Sequence, residues 1–276
     1  MKLTPTVKWA GGKRQIIDKL KKNCPKRYKT YYEPFVGGGA LFLELKPKHA
    51  VINDLNKDLI CIYKCLKSKK WYKKMIALLN EHEQKNSKEY FYEIRSLDTR
   101  KTFIREPMYV KAARCIYLNK SCFNGLYRVN SNGCFNVPFN GKDNINCYDR
   151  KNMNALHRFF MRTNPVILSK DFEAAVATAK AGDFVYFDPP YDSLDDKNSF
   201  TSYTKDSFGK EEQKRLAKVY KDLSNKGVYV MLSNHNTKFI NELYSEFNIH
   251  VINAKRMINS KADGRGDVEE VIITNY

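Results

Sequence analysis

Seven short, nearly continuous apolar runs, separated by helical patterns, constrain the fold of this chain most. They lie at residues 30–36, 50–54, 165–168, 184–187, 228–232, 249–252 and 271–273. A strand with one wet face alternates apolar and polar residues. A strand covered on both faces reads as an unbroken apolar run. Helical patterns fall between several of these runs. Residues 210–224 place Leu216, Val219, Tyr220 and Leu223 on one face. The alternation predicts an α/β fold with a mainly parallel sheet covered on both sides.

Residues 60 to 160 read differently. They carry few strand patterns and many helical ones, such as 71–79 and 110–118, together with most of the mixed aromatic and basic residues. We read this stretch as a helical insertion with one hairpin, in which Asn132-Gly133 turns between two strand-like arms, 126–131 and 134–138. A length of 276 residues suits one large domain or a domain plus such an insertion. The formal net charge of +19 favours a polyanionic partner, nucleic acid first, over a lysine-rich surface that serves solubility alone. Seven cysteines, an odd number without a CxxC pair, suggest neither a disulfide framework nor a zinc site. Cys61 and Cys65 fall in an apolar helical stretch where small buried residues are expected. No apolar signal core opens the chain and no run approaches a membrane span, so a cytoplasmic protein without metal is expected, with a monomer favoured.

Two Gly-rich elements precede the insertion. In the first, Lys8-Trp9-Ala10-Gly11-Gly12-Lys13, small residues flanked by cations suit a carboxylate with Lys13 as its counter-ion; an ordinary N-terminal loop is the simpler reading of the residues alone. In the second, the 30–36 run enters Gly37-Gly38-Gly39 and a helix, which allows close backbone approach to a ligand at a helix start. Asp54 ends the next strand, where an acid can bind ribose hydroxyls. The triplet is not the G-x-G-x-x-G fingerprint, and a plain turn fits it as well.

Phe184-Val185-Tyr186-Phe187-Asp188-Pro189-Pro190-Tyr191 is the most informative segment. A buried strand ends in a carboxylate, and two prolines stiffen the loop and set a ring at its end. Such a group at a parallel strand's carboxyl end faces the ligand crevice. The arrangement suits an exocyclic aromatic amine, whose nitrogen is a poor nucleophile because its lone pair is conjugated with the ring. Asp188 and the carbonyl of Pro189 can accept its two N–H groups, favouring a pyramidal nitrogen and directing the lone pair at a methyl donor. Tyr191 can stack on the base. The base must leave the helix first, at a cost of a few kcal/mol.

Together with Glu33-Pro34-Phe35-Val36-Gly37-Gly38-Gly39, Asn53-Asp54-Leu55-Asn56, Phe123-Asn124-Gly125-Leu126-Tyr127-Arg128 and Phe135-Asn136-Val137-Pro138-Phe139, these motifs resemble, in order and over nearly the whole chain, the Dam-type (D12 class, alpha-group) DNA adenine-N6 methyltransferases. The resemblance implies a class I, Rossmann-like fold dependent on S-adenosylmethionine. Its catalytic domain spans 1–60 and 161–276, with target recognition in 61–160. It implies that Trp9, Ala10, Gly11, Lys13, Phe35, Gly37, Asp54, Asp171, Phe172 and Asp188 meet the cofactor. The clamp on the target adenine is Asp188, Pro189, Pro190 and Tyr191. Lys8 resembles a position that reaches the first guanine of the site. Leu126, Arg128 and Pro138 resemble hairpin residues that read the outer base pair, Arg to guanine being the commonest direct readout. Phe123 and Asn124 resemble the intercalating and orphan-base residues, with Phe where the family often has Tyr. Double-stranded GATC is the expected target. The basic loop from Lys255 through Arg256 and Lys261 to Arg265 either touches phosphates or is merely solvated.

Other readings remain open on sequence. Cytosine-N4 methylation needs the same two acceptors, but its motif usually starts with Ser. An RNA or protein amine is disfavoured by the hairpin with Arg128. Cytosine-C5 chemistry needs a Cys nucleophile, and no Pro-Cys dipeptide occurs. A DNA-binding regulator without catalysis is disfavoured by the intact Asp188–Tyr191 motif.

Overall fold

The structure, a computed structural model, describes residues 2–193, 208–255 and 267–276. All seven apolar runs form strands: β1 (Tyr31–Glu33), β2 (Ala50–Asn53), β3 (Val166–Leu168), β4 (Phe184–Phe187), β5 (Tyr229–His235), β6 (Asn248–Lys255) and β7 (Asp267–Thr274). They make one sheet in the order β3-β2-β1-β4-β5-β7-β6. β1 pairs in parallel with β2 and β4, and β4 with β5. β7 runs antiparallel between β5 and β6. The fold is α/β and Rossmann-like, as the sequence leads one to expect.

The chain forms two compact units. One comprises Met1–Gly12, Gly37–Lys46 and Asp54–Ser169; the other comprises Lys13–Val36, Pro47–Asn53 and Lys170–Tyr276. The chain passes between them five times, at Gly12–Lys13, Val36–Gly37, Lys46–Pro47, Asn53–Asp54 and Ser169–Lys170.

In the second unit the sheet's period of two sorts its side chains. Tyr32, Val185, Phe187, Val230, Leu232, Val271 and Ile273 share a core with Leu216, Val219, Tyr220 and Leu223 of α9 (Lys210–Asn225), Ile240 of α10 (Lys238–Leu243), and Phe172 and Val176 of α8 (Phe172–Val176). The α9 residues are those its helical period places on one face; α1 (Ile17–Asn23) is the first helix of this unit. Side chains of the other parity, Tyr31, Glu33, Phe184, Tyr186 and Ser233, are also buried. Each fully buried ring or aliphatic side chain contributes roughly 1.5–3 kcal/mol.

The first unit is helical: α2 (Ala40–Leu45), α3 (Lys57–Leu66), α4 (Lys69–Gln84), α5 (Lys88–Ser96), α6 (Met108–Ser121) and α7 (Arg150–Thr163). α6 is its centre; from Ala112 to Asn119 every residue is buried. Polar caps start the helices, Asn56 for α3, Ser68 for α4, Ser87 for α5 and Asp149 for α7, each accepting backbone N–H groups. Cys61 and Cys65 are buried in α3 as small apolar fillers.

The hairpin differs in detail from its sequence reading. Asn130 N–H donates to Cys134 O, and Asn136 N–H to Arg128 O. The loop is therefore three residues, 131–133, with Gly133 at φ +76°, not a two-residue Asn-Gly turn. The Asn130 carboxamide oxygen accepts from both Asn132 and Cys134 N–H groups at 3.0 Å, which closes the longer loop. Pairing is confined to one bridge, Val129 with Phe135.

Candidate active site and DNA-reading elements

In the second unit the chain leaves β4 at Asp188. Lys13 Nζ lies 2.9 Å from Asp188 Oδ1, and Ser233 Oγ, at the carboxyl end of β5, donates to the same oxygen at 3.0 Å. Ser233 has one hydroxyl proton, so in its 2.8 Å contact with Tyr186 Oη the tyrosine is the donor. Oδ1 is thus held twice, while Oδ2 has no hydrogen-bond partner among the described residues. Burial pushes the Asp188 carboxyl above its ordinary range, and Lys13 and the Ser233 hydroxyl pull it back toward the charged form. Lys13 Nζ also sits 4.3 Å from the centre of the Tyr191 ring. Tyr191 Oη donates to Glu270 Oε2 at 3.0 Å, and its ring meets His235 edge-on at 4.8 Å.

The next residue of β5 supports the loop from the opposite face. Asn234 and Gln213, both fully buried, hydrogen-bond at 3.2 Å. Gln213 Nε2 donates to the carbonyl of Pro190 at 2.9 Å, and Asn234 Oδ1 accepts from Asp192 N–H at 2.9 Å. Ser233, Asn234 and Gln213 were not singled out on sequence. The available signal was a polar pair directly after the apolar run ending at Leu232.

Phe35 packs against Phe172 at 5.5 Å and Phe187 at 6.4 Å. Asp171 caps α8 and accepts two bonds from Arg215, at 2.9 and 2.7 Å, which hold its carboxyl below the usual range. Asn53, also unpredicted, is buried and joins three segments: Nδ2 donates to Pro34 O and Lys170 O, and Oδ1 accepts from Lys170 N–H.

In the first unit Gly37 adopts φ +47°, and a Cβ there would lie 3.0 Å from the Trp9 indole. Glycine is favoured on both counts. Asp54 Oδ2 accepts from Gly37 N–H at 2.9 Å and Oδ1 from Asn56 N–H at 2.8 Å. Tyr63 Oη donates to Gly37 O at 2.6 Å. Burial raises the Asp54 carboxyl, opposed by those two N–H groups. Ala10 and Gly11 are exposed beside Trp9.

The same unit collects the six residues predicted to touch DNA. Phe123 is 53% exposed although it is a large apolar ring, and its N–H donates to Pro138 O at 2.9 Å. Asn124 beside it holds φ +55°, uncommon for a residue with a side chain. Leu126 N–H donates to Phe123 O. Arg128 is exposed, with Nε on Asn136 Oδ1 at 2.8 Å. Lys8 presents an exposed side chain, while its backbone is held by the buried Asn119 of α6. Asp98 anchors the hairpin's return arm through Phe135 N–H at 2.8 Å and is itself paired with buried Arg114 at 2.7 Å. The predicted basic loop with Arg256, Lys261 and Arg265 lies outside the described residues.

The family model for D12 class N6 adenine-specific DNA methyltransferases matches residues 9–258. The chain belongs to that family. The methyltransferase is 44% identical to the Type II methyltransferase M1.LlaDCHI of Lactococcus lactis subsp. cremoris, over 99% of this chain and 96% of that one. It is 41% identical to the Type II methyltransferase M.MjaIII of Methanocaldococcus jannaschii over the whole of both. It is 31% identical to the DNA adenine methylase of Escherichia coli strain K12, over 96% of this chain and 93% of that one. The methyltransferase is adenine-specific, acts on DNA and uses a methyl donor. Burial pushes several of its thiols well up, Cys61 and Cys122 to about 11, so they carry no ready thiolate. Among the described residues no helix is long and apolar enough to cross a membrane, and no group of three or more His, Cys, Asp or Glu residues is placed to hold a metal.

Proposed function

We propose that the methyltransferase takes its methyl group from S-adenosylmethionine and delivers it to N6 of an adenine rotated out of duplex GATC. One observation carries this reading: Asp188 Oδ1 is immobilised by Lys13 and Ser233, while no bond to Oδ2 is formed among the described residues. Oδ2 and the carbonyl of Pro189 accept the two N–H groups of the amine. That removes the nitrogen's planarity and frees its lone pair. Pro190 is fixed through Gln213, so the acceptor pair is set before substrate arrives, and Tyr191 supplies the stacking ring. Lys13 favours the charged form of Asp188 against the effect of burial, and the charged carboxylate is the stronger acceptor.

The donor set fits S-adenosylmethionine. A glycine that tolerates no Cβ, an indole beside it and an acid at its N–H suit a nucleoside with free ribose hydroxyls. We assign the donor to Trp9, Ala10, Gly11, Lys13, Phe35, Gly37, Asp54, Asp171, Phe172 and Asp188. Bound S-adenosylmethionine supplies an electrophilic methyl group on its sulfonium. Residues 61–160 serve target recognition, and 1–60 with 161–276 serve catalysis. Lys8 reads the first guanine, Leu126, Arg128 and Pro138 read the outer base pair, and Phe123 with Asn124 fill the gap left by the extruded base. The enzyme acts as a monomer without a metal.

Incubation with labelled donor and either GATC or scrambled duplexes tests the reading. Transfer to adenine in GATC alone is expected. Donor binding without transfer to either duplex would sink it. A 2-aminopurine at the target position should brighten on binding as it leaves the stack, and unchanged fluorescence would refute the rotation step.

A further inference from the structure

Asn119 lies in the last turn of α6, is 1% exposed, and belongs to neither the catalytic loop nor the Gly-rich elements. Its carboxamide is bonded on every side. Oδ1 accepts from Lys8 N–H at 2.8 Å, and Nδ2 donates to Lys8 O at 2.9 Å and to Gly125 O at 2.8 Å. One side chain thereby grips both backbone groups of Lys8, 111 positions away in sequence, and ties them to the turn carrying Phe123 and Asn124. Gly125 completes the joint. It holds φ +67°, and a Cβ there would come within 2.7 Å of Lys8 Cδ and 3.2 Å of Asn119 O. The aliphatic stem of Lys8 therefore runs over the glycine, which sets the direction of its exposed amine.

We infer that Asn119 is a specificity-positioning residue: it registers the Lys8 amine against the Phe123–Gly125 turn, so that base reading and helix invasion occur at a set spacing. A long lysine stem has many rotamers, and its end reads one base only if its root is immobile. A peptide-like amide is the group for this task, because it offers an acceptor and two donors in one plane. Aspartate in its place would set a carboxylate against two carbonyl oxygens. The inference rests on the proposed reading of Lys8, and the experiment separates the two.

Methyl transfer is measured on three duplexes: GATC, the same duplex with the first G·C pair replaced, and the same duplex with the last pair replaced. The proteins are wild type, Lys8→Ala, Asn119→Ser, Gly125→Ala and Lys8→Ala/Asn119→Ser. Donor binding by calorimetry and thermal melting serve as controls for folding. Asn119→Ser and Gly125→Ala, which disturb the joint from opposite sides, should each lower discrimination at the first pair roughly tenfold and leave discrimination at the last pair unchanged. The double variant should discriminate no worse than Lys8→Ala alone. Equal loss on all three duplexes in both joint variants, or full additivity with Lys8→Ala, overturns the inference while leaving the reading of Lys8 intact. If Lys8→Ala itself keeps wild-type discrimination, the reading of Lys8 falls and the inference falls with it.

Discussion

Asp188, directly after β4, and Arg128, within the first arm of the hairpin, are both charged groups, and the chain secures them by different means. In the second unit the carboxylate is held by side chains: Lys13 and Ser233 on one oxygen, with Tyr186 behind the serine. In the first unit the residues proposed to read DNA are held chiefly by their backbones. Phe123 hangs on Pro138 O, Lys8 on Asn119, and the hairpin on Asp98, while the side chains themselves are exposed. A group that must stabilise charge in a transition state gains from being oriented in advance. A group that must find a base edge needs an anchored root and a tip free to adapt.

If that contrast is right, the largest effect belongs to the carboxylate. Asp188→Ala should lower methyl transfer by about 10³-fold, with donor binding in calorimetry weakened far less because Asp188 is only one of the residues assigned to the donor; a loss of transfer below tenfold would break the comparison. Ser233→Ala should lower kcat by roughly 10- to 100-fold, the worth of a hydrogen bond to a charged group, with little change in KM for DNA. It should also displace the pH profile. Amine binding needs ionised Asp188, so the rate falls as pH drops through its pKa in the folded enzyme, which burial already raises. Removing the serine, or Lys13 by Lys13→Met, withdraws support for the charged form and raises that pKa further. The acid limb should therefore move to higher pH; a shift to lower pH would contradict the assignment.

Effects in the reading elements should be smaller and sequence-dependent. Arg128→Lys should relax discrimination at the outer base pair about tenfold, because an ammonium cannot reproduce a bidentate fork, while kcat on saturating GATC duplex holds. Uniform loss on every duplex would place Arg128 on phosphate instead. Smallest is Asn136→Ala, which frees Arg128 Nε and should cost discrimination about threefold. A loss as large as that of Arg128→Lys would mean that this tip, too, is fixed in advance.

Much of the architecture was legible because burial on both faces leaves a local mark. Each of the seven apolar runs is a strand, and the α9 face appears with its predicted residues. The Asp188–Tyr191 motif proposed as catalytic stood out for the same reason, since a carboxylate and two prolines directly follow the Phe184–Phe187 strand. Partners were not legible. Lys13 was read as counter-ion to a ligand carboxylate, and the carboxylate it meets in the structure is Asp188. Ser233, Asn234 and Gln213 carry no local pattern beyond being polar, because their meaning lies in contacts across dozens of residues. The hairpin loop misled at short range. Asn132-Gly133 spells a two-residue turn, but the side chain of Asn130 recruits two N–H groups and closes three residues instead.

Sequence by itself determined the elements and the chemistry, because hydrophobic period and the demands of an aromatic amine act over a few neighbouring residues. Only the tertiary structure decided which oxygen of Asp188 is occupied, which residue roots Lys8, and where β7 inserts. Those choices depend on strand order and helix placement, which bring together side chains that no local periodicity connects.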